Sequence, residues 1–358
     1  MNSKLLNATH GTIYSEPKSF FGYFGWPTVT RAADGKIYVA ASGFRHQHIC
    51  PWGKNVLFFS DDEGNSWSAP MIINDSLIDD RDAGLTALPD GELLLSWFTS
   101  DTRVFYPLFP EPPEFMKAVL DSWDNADVKK ELGSFVRLRD RNGYWQKRVP
   151  VEVTSPHGPI LLKNGKLFYF GNRYGVRDES GNICFDMKNH SIQGLGCAVS
   201  SDNGSTWEYR GTISNPGQNK CFVEPHAIEL ADGRILGLIR VENPGVHFEI
   251  WKTFTSDEGR TWTKTEPVCS GSPPHLLRLP DGTLLCSYAW RREPYGIRAM
   301  FSRDEGATWD TDWIIRNDAW TDDLGYTSSV ILSDGSVLSV YYLGGELCCS
   351  RWSIPEGY

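Results

Sequence analysis

Long apolar runs are missing from this chain. None of its 358 residues lies in a hydrophobic stretch of membrane-spanning length, and Met1 to Pro17 contain no apolar core of a secretory leader. These absences lead to the expectation of a cytoplasmic protein with no membrane partner. Positive charge is short as well: 35 Lys and Arg against 45 Asp and Glu leave a formal net charge of −10, which argues against nucleic acid as a partner. The eight cysteines show no metal-type spacing. Cys184, Cys197, Cys221 and Cys286 fall in or beside expected strands, and the adjacent Cys348 and Cys349 would point to opposite strand faces, so buried free thiols are expected rather than disulfides. No cofactor and no bound metal belong to the main reading.

Aromatic residues are plentiful: 14 Trp, 14 Tyr and 18 Phe can furnish a large core. Four of the tryptophans close copies of one octapeptide, SDDEGNSW (Ser60 to Trp67), SSDNGSTW (Ser200 to Trp207), TSDEGRTW (Thr255 to Trp262) and SRDEGATW (Ser302 to Trp309). Each reads (S/T)xDxGx(S/T)W. The Asp can accept backbone N–H bonds, the Gly can take positive φ, and the Trp can pin the turn to a neighbouring strand. Four copies of such a staple mean that one supersecondary unit is repeated.

A second repeat sets the number of units. Six pairs of apolar, β-prone runs turn at Asp34-Gly35, Asp90-Gly91, Asn164-Gly165, Asp232-Gly233, Asp281-Gly282 and Asp334-Gly335. Asp-Gly or Asn-Gly between such runs is a hairpin signal. The turns recur about every 50 to 75 residues, enough for a four-stranded sheet plus loops. A two-sheet sandwich would not need the same hairpin followed by the same staple, so the expected fold is all-β, a single six-bladed β-propeller domain spanning 1–358. Blade 2 has only a degenerate staple at Asp140 to Trp145. Blade 6 runs out of chain, so a segment around His10 to Glu16 is expected to supply its outer strand and remove the sheet edge. Between the second and third hairpins lies an insertion, roughly Asp101 to Arg148. There Pro112-Pro113, Glu114 and the periodic Phe115, Val119 and Trp123 suggest a small helical cap.

The topology also says which residues meet. Residues flanking each hairpin converge on the propeller axis, opposite the turns. They are Gly25-Trp26-Pro27 with Arg45 to His48; Asp79 to Asp82 with Thr99 to Arg103; Ser155-Pro156-His157 with Asn172-Arg173-Tyr174; Glu224-Pro225-His226 with Arg240 to Glu242; Pro273-Pro274-His275 with Arg291-Arg292; and Asp323 to Tyr326 with Tyr342. Five of the eight histidines and at least five arginines thus gather on one face of an acidic protein, as a pocket for an anionic small ligand requires.

The octapeptides resemble the Asp boxes of the sialidase (neuraminidase) superfamily, and the likeness runs from Gly22 to Tyr342. EPHAIELADGRILGLIR is similar to the block in which a Glu precedes a hairpin closed by an Arg, DLGYTSSVILSDGSVLSVYY to the block supplying a tyrosine nucleophile, and RREPYGIRAMFSRDEGATW to the block with the last arginine of a carboxylate-binding triad. The resemblance implies that Tyr326 is the nucleophile and Glu224 its general base. It implies further that Arg240 and Arg292 (or Arg291) bind the substrate carboxylate. A neutral Tyr suits a sugar with a carboxylate on its anomeric carbon, because a carboxylate nucleophile would be repelled.

Two departures accompany the likeness. Gly25-Trp26 stands where the family has its first triad arginine. The loop from Arg45 to Asn55, where the family keeps its acid/base Asp, contains neither Asp nor Glu. Arg45 or Arg81 could replace the lost clamp, and Asp82, with His48 second, is the preferred proton donor. Arg173, Trp26, His157, His226 and His275 complete the expected substrate-binding set. The implied activity is exo-glycosidic hydrolysis of a terminal, acidic sugar on a small glycan. Two other readings stand beside it: a metal-assisted uronate lyase, motivated by the histidines and inferred from metal-ligand chemistry, and an acidic-sugar-binding propeller without catalysis.

Overall fold

The computed structural model describes residues 4–105, 113–174, 194–214, 220–243 and 246–358. Cys184 and Pro112, singled out above, lie outside them. The strand β1 (Ala8–Tyr14) is followed by a four-stranded sheet of β2 (Tyr23–Arg31), β3 (Ile37–Arg45), β4 (Lys54–Ser60) and β5 (Met71–Asn74), and by another of β6 (Asp79–Ala87), β7 (Leu93–Ser100), β8 (Ser134–Arg139) and β9 (Val149–Pro150). The third sheet has a split inner strand, β10 (Val153–Thr154) and β11 (Ile160–Leu161), both paired with β12 (Leu167–Arg173), then β13 (Leu195–Ser200) and β14 (Glu208–Ile213). The fourth contains β15 (Cys221–Glu229), β16 (Ile235–Asn243), β17 (Val246–Thr255) and β18 (Glu266–Ser270). The fifth contains β19 (Ser272–Arg278), β20 (Leu284–Trp290), β21 (Gly296–Ser302) and β22 (Asp310–Arg316). The last contains β23 (Leu324–Ile331), β24 (Val337–Leu343) and β25 (Glu346–Trp352), with β1 antiparallel to β25 at its outer edge. The fold is a six-bladed β-propeller.

Its core follows from strand alternation, since successive side chains point to opposite faces and each blade packs on both neighbours. Six apolar clusters result, one per blade interface. Cys348 and Cys349 show the alternation within one strand: the first joins the cluster between blades 5 and 6, the second that between blades 6 and 1. All seven described cysteines are free.

The octapeptides form the staples between blades. In the first, Asp62 accepts from the Ser66 amide at 2.9 Å and the Ser66 hydroxyl at 2.6 Å, and the Ser60 hydroxyl accepts from the Gly64 amide at 2.8 Å. These bonds hold the Asp62 carboxyl down at about 2. The same network recurs at Asp202, Asp257 and Asp304. Each Gly has positive φ and abuts the preceding blade, Gly64 facing Leu338, Gly204 Leu94, Gly259 Phe168 and Gly306 Leu236. Among the described residues, a short 3-10 turn (Thr102–Val104) and two α-helices, α1 (Glu114–Asp121) and α2 (Asn125–Glu131), lie between the second and third hairpins. The helical excursion is shorter than the sequence suggests, because β8 and the degenerate staple, where the Asp140 carboxylate accepts from the Tyr144 amide, belong to blade 2 itself. Phe115 of α1 packs on Phe20, His46 and Trp52, beside the loop that carries His48.

Candidate active site

One backbone device recurs on the innermost strands. Trp26, Asp82, Glu224 and Tyr326 adopt φ of 54°, 53°, 47° and 55°. Each interrupts the ladder to the second strand, between Gly25 and Thr28, Arg81 and Gly84, Val223 and His226, and Gly325 and Ser328. A left-handed non-glycine residue costs on the order of 1–3 kcal/mol, and such bulges re-aim side chains. The apolar wedges on either side offset that cost. The outcome is that side chains from blades 2, 4 and 6 turn toward one cup.

The cup is a cavity of about 470 Å³. Tyr326, Glu224, Arg240, Asp82, Arg81 and Arg291 supply its polar wall, with His48 at the side, and Ile49, Phe98 and Phe105 its apolar one. The Tyr326 hydroxyl donates to Glu224 Oε1 at 2.5 Å. Glu224 Oε2 accepts from Arg240 Nη1 at 2.5 Å, and Arg240 Nη2 pairs with Glu242 at 2.7 Å. The Asn172 amide oxygen accepts from the Glu224 backbone N–H at 2.9 Å and fixes the bulge. Burial, then the Glu224 charge, pushes the Tyr326 phenol well above its ordinary value. Burial likewise lifts the Asp82 carboxyl to about 7, against the pull of Arg81. Asp82 Oδ1 and Arg291 Nη2 are buried without a hydrogen-bond partner among the described residues.

Several expected members lie elsewhere. Arg45 is fully buried and spent on Asp79, at 2.5 and 2.8 Å, so it clamps a loop rather than a ligand. Trp26 is buried behind the cup wall, with the guanidinium carbons of Arg81 and Arg45 4.4 and 4.8 Å from its ring centre. Arg173 stacks on Tyr209 at 4.6 Å and meets Glu152, outside the cup wall. Arg292 is displaced into a neighbouring cavity, and Arg291, its alternative, faces the cup. His226 and His275 sit just past the ladder breaks of β15 and β19, His157 lies in the gap between β10 and β11, and the three imidazoles meet one another across the inner strands below the cup. Their ring centres are 4.6 to 5.7 Å apart. The Leu276 amide donates to His226 Nδ1 at 2.9 Å and the Ser329 amide to His275 Nδ1 at 3.3 Å. Burial drives all three imidazoles well below their ordinary range, His226 to about 3. These are plugs of the axis, and no cluster of three or more His, Cys, Asp or Glu among the described residues is arranged to hold a metal. The observation that motivated a metal-assisted lyase is therefore a packing feature.

Asp323 was in the convergent set without a role. It accepts from Tyr342 at 2.9 Å and Tyr23 at 3.0 Å and meets His48 Nδ1 at 3.2 Å, orienting that imidazole at the cup. Burial lowers the His48 pKa despite this carboxylate. The signal for Asp323 was its place three residues before Tyr326; the signal for Arg291 was its tie to the Leu324 carbonyl, which only the fold reveals.

Residues 145–339 match the model of a family described as BNR repeat-like domain. No curated protein matches the sequence. Among solved structures, a protein of unknown function from Dyadobacter fermentans superposes with a TM-score of 0.74 at 23% identity, over 97% of this chain and 99% of its own. A Hadza microbial sialidase gives 0.65 at 16%, over 97% and 68%. An intramolecular trans-sialidase from Ruminococcus gnavus, solved with oseltamivir carboxylate, gives 0.63 at 12%, over 96% and 97%. At these identities the likeness is one of fold.

Proposed function

The chain belongs to the BNR repeat-like domain family, and from that premise and the cup we propose that it is a retaining exo-glycosidase of sialidase type acting on a terminal acidic sugar. The observation that carries this is the 2.5 Å bond from the Tyr326 hydroxyl to Glu224, with Arg240 on the other carboxylate oxygen. A buried phenol with a raised pKa does not ionise in advance. As its oxygen bonds to the anomeric carbon its proton passes to Glu224, whose negative charge Arg240 has held in place.

Asp82, protonated in part near neutrality, gives a proton to the departing glycosidic oxygen as that bond breaks. Water then attacks the anomeric carbon and releases its proton to Asp82, while Tyr326 leaves and recovers its proton from Glu224. Arg81, Arg240 and Arg291, from blades 2, 4 and 5, hold the substrate carboxylate, with charge-assisted bonds worth roughly 1.5–3 kcal/mol each. Arg81 replaces the arginine missing at Trp26. With one arginine moved and Arg240 already engaged by two glutamates, the acidic sugar need not be a sialic acid.

A panel of aryl glycosides, including a sialoside and a glucuronide, tests the reading on the purified chain with and without chelator. Turnover of at least one acidic glycoside is expected, unaffected by chelator. It should fall on the order of 10²-fold or more in kcat for Glu224→Gln. Turnover of none, or wild-type rates in that variant, would contradict it.

A further inference from the structure

A second cavity, of about 430 Å³, opens beside the cup and shares Arg291 with it. The mechanism above leaves it without a task. Its wall includes Trp290, Arg291, Arg292, Ser272 and Asp322. Two guanidinium groups face a single carboxylate there, so the cavity carries net positive charge in a protein of net charge −10.

Its donors are under-used. Ser272 is 1% exposed and its hydroxyl has no hydrogen-bond partner among the described residues, nor has Arg291 Nη2. Among the described residues Arg292 makes one bond, to the Ser270 hydroxyl at 3.3 Å, and its guanidinium carbon lies 5.1 Å from the centre of the Trp290 ring. Leaving a buried donor unpaired costs about 1–3 kcal/mol. Three donors meeting at one concave, cationic place beside a flat indole are what a ring bearing an oxyanion would satisfy.

We propose that this cavity binds a carboxylate or sulfate group on the sugar next to the one held in the cup. The inference rests on the glycosidase reading for its substrate, because Arg291, common to both cavities, would then read two adjacent acidic units of one glycan. Arg298 takes no part: it is buried, its guanidinium carbon lies 5.7 Å from the centre of the Trp290 ring, and it donates to the Arg316 carbonyl at 2.8 Å.

Calorimetric titration with sodium sulfate and, separately, with glucuronate tests it on the full chain. Binding of at least one anion is expected, weakened about tenfold or more in Arg292→Ala, several-fold in Ser272→Ala, and partly restored in Arg292→Lys. The anion whose binding depends on Arg292 identifies the group recognised. Equal affinity in wild type and Arg292→Ala, as for an ion held in the cup alone, would overturn the proposal, and so would no binding of either anion. The titration needs no turnover. An inactive chain that still binds through Arg292 would refute the glycosidase and keep the cavity, whereas an active chain indifferent to Arg292 would do the reverse.

Discussion

Tyr326, Glu224 and Asp82 share a strained backbone as well as a cavity. The left-handed φ at each is imposed by a ladder break in the inner strand, and the strain is tolerated because apolar wedges fix both flanks. Asp82 offers the sharpest test among the single side chains. Its carboxyl titrates at about 7 because burial disfavours the anion. As proton donor it must start protonated, so kcat/KM should decline as pH rises past about 7. Asp82→Asn should abolish that limb, slowing a glycoside with an alkyl leaving group by on the order of 10²-fold and an activated aryl glycoside much less. Stability carries the same signature. A folded pKa above the ordinary 3.8 means that the folded chain holds the extra proton between about 4 and 7, so Asp82 makes stability fall as pH rises through that window. Denaturation of Asp82→Asn across these pH values should lack that contribution; an unchanged slope would refute the assignment.

Strands show where sequence reasoning reached and where it stopped. Asp-Gly turns and Asp-box staples are local, and their chemistry is complete within eight or so residues, so six blades could be counted from them. The convergence of Glu224 and Tyr326 followed from strand direction. Bulges are not local: whether Arg291 or Arg292 faces the cup depends on alternation after β20, and Arg45 looked free because its partner Asp79 lies on the next blade. The histidines of the Pro-His pairs lie under the cup for the same reason, His226 and His275 just past a ladder break and His157 between β10 and β11. Kept neutral by burial, they bind fewer protons folded than unfolded below their ordinary 6.5, so they lend stability that is lost as pH falls below that value, for His226 down to about 3. Each one should steepen the acid side of a stability–pH curve by about 1.4 kcal/mol per pH unit. Replacing His226 by Gln should relieve one such increment in urea titrations between pH 4 and 6; an unaltered curve would mean that His226 is protonated in the folded chain.

Closure governs the molecule as a whole. Blade 6 takes its outer strand from the other end of the chain, with Ala8 opposite Trp352 and Thr12 opposite Cys348. Ile13 is buried in the wedge between blades 6 and 1, which also contains Tyr326. Removing residues 1–16 should therefore expose the β25 edge, lower Tm by at least about 5 °C and promote association. Thermal unfolding with light scattering reads both effects, and an unchanged Tm would show that β1 is dispensable. Such a truncation should also reduce turnover, since the wedge supports the cup. The proposed reaction turns on one bond, between the Tyr326 oxygen and an anomeric carbon. Acid-quenched turnover of the best aryl glycoside, followed by peptide mass spectrometry, should find the glycosyl mass on Tyr326 in wild type and on no residue in Tyr326→Phe. Rapid turnover with no adduct there, or with the sugar on a different side chain, would contradict the account.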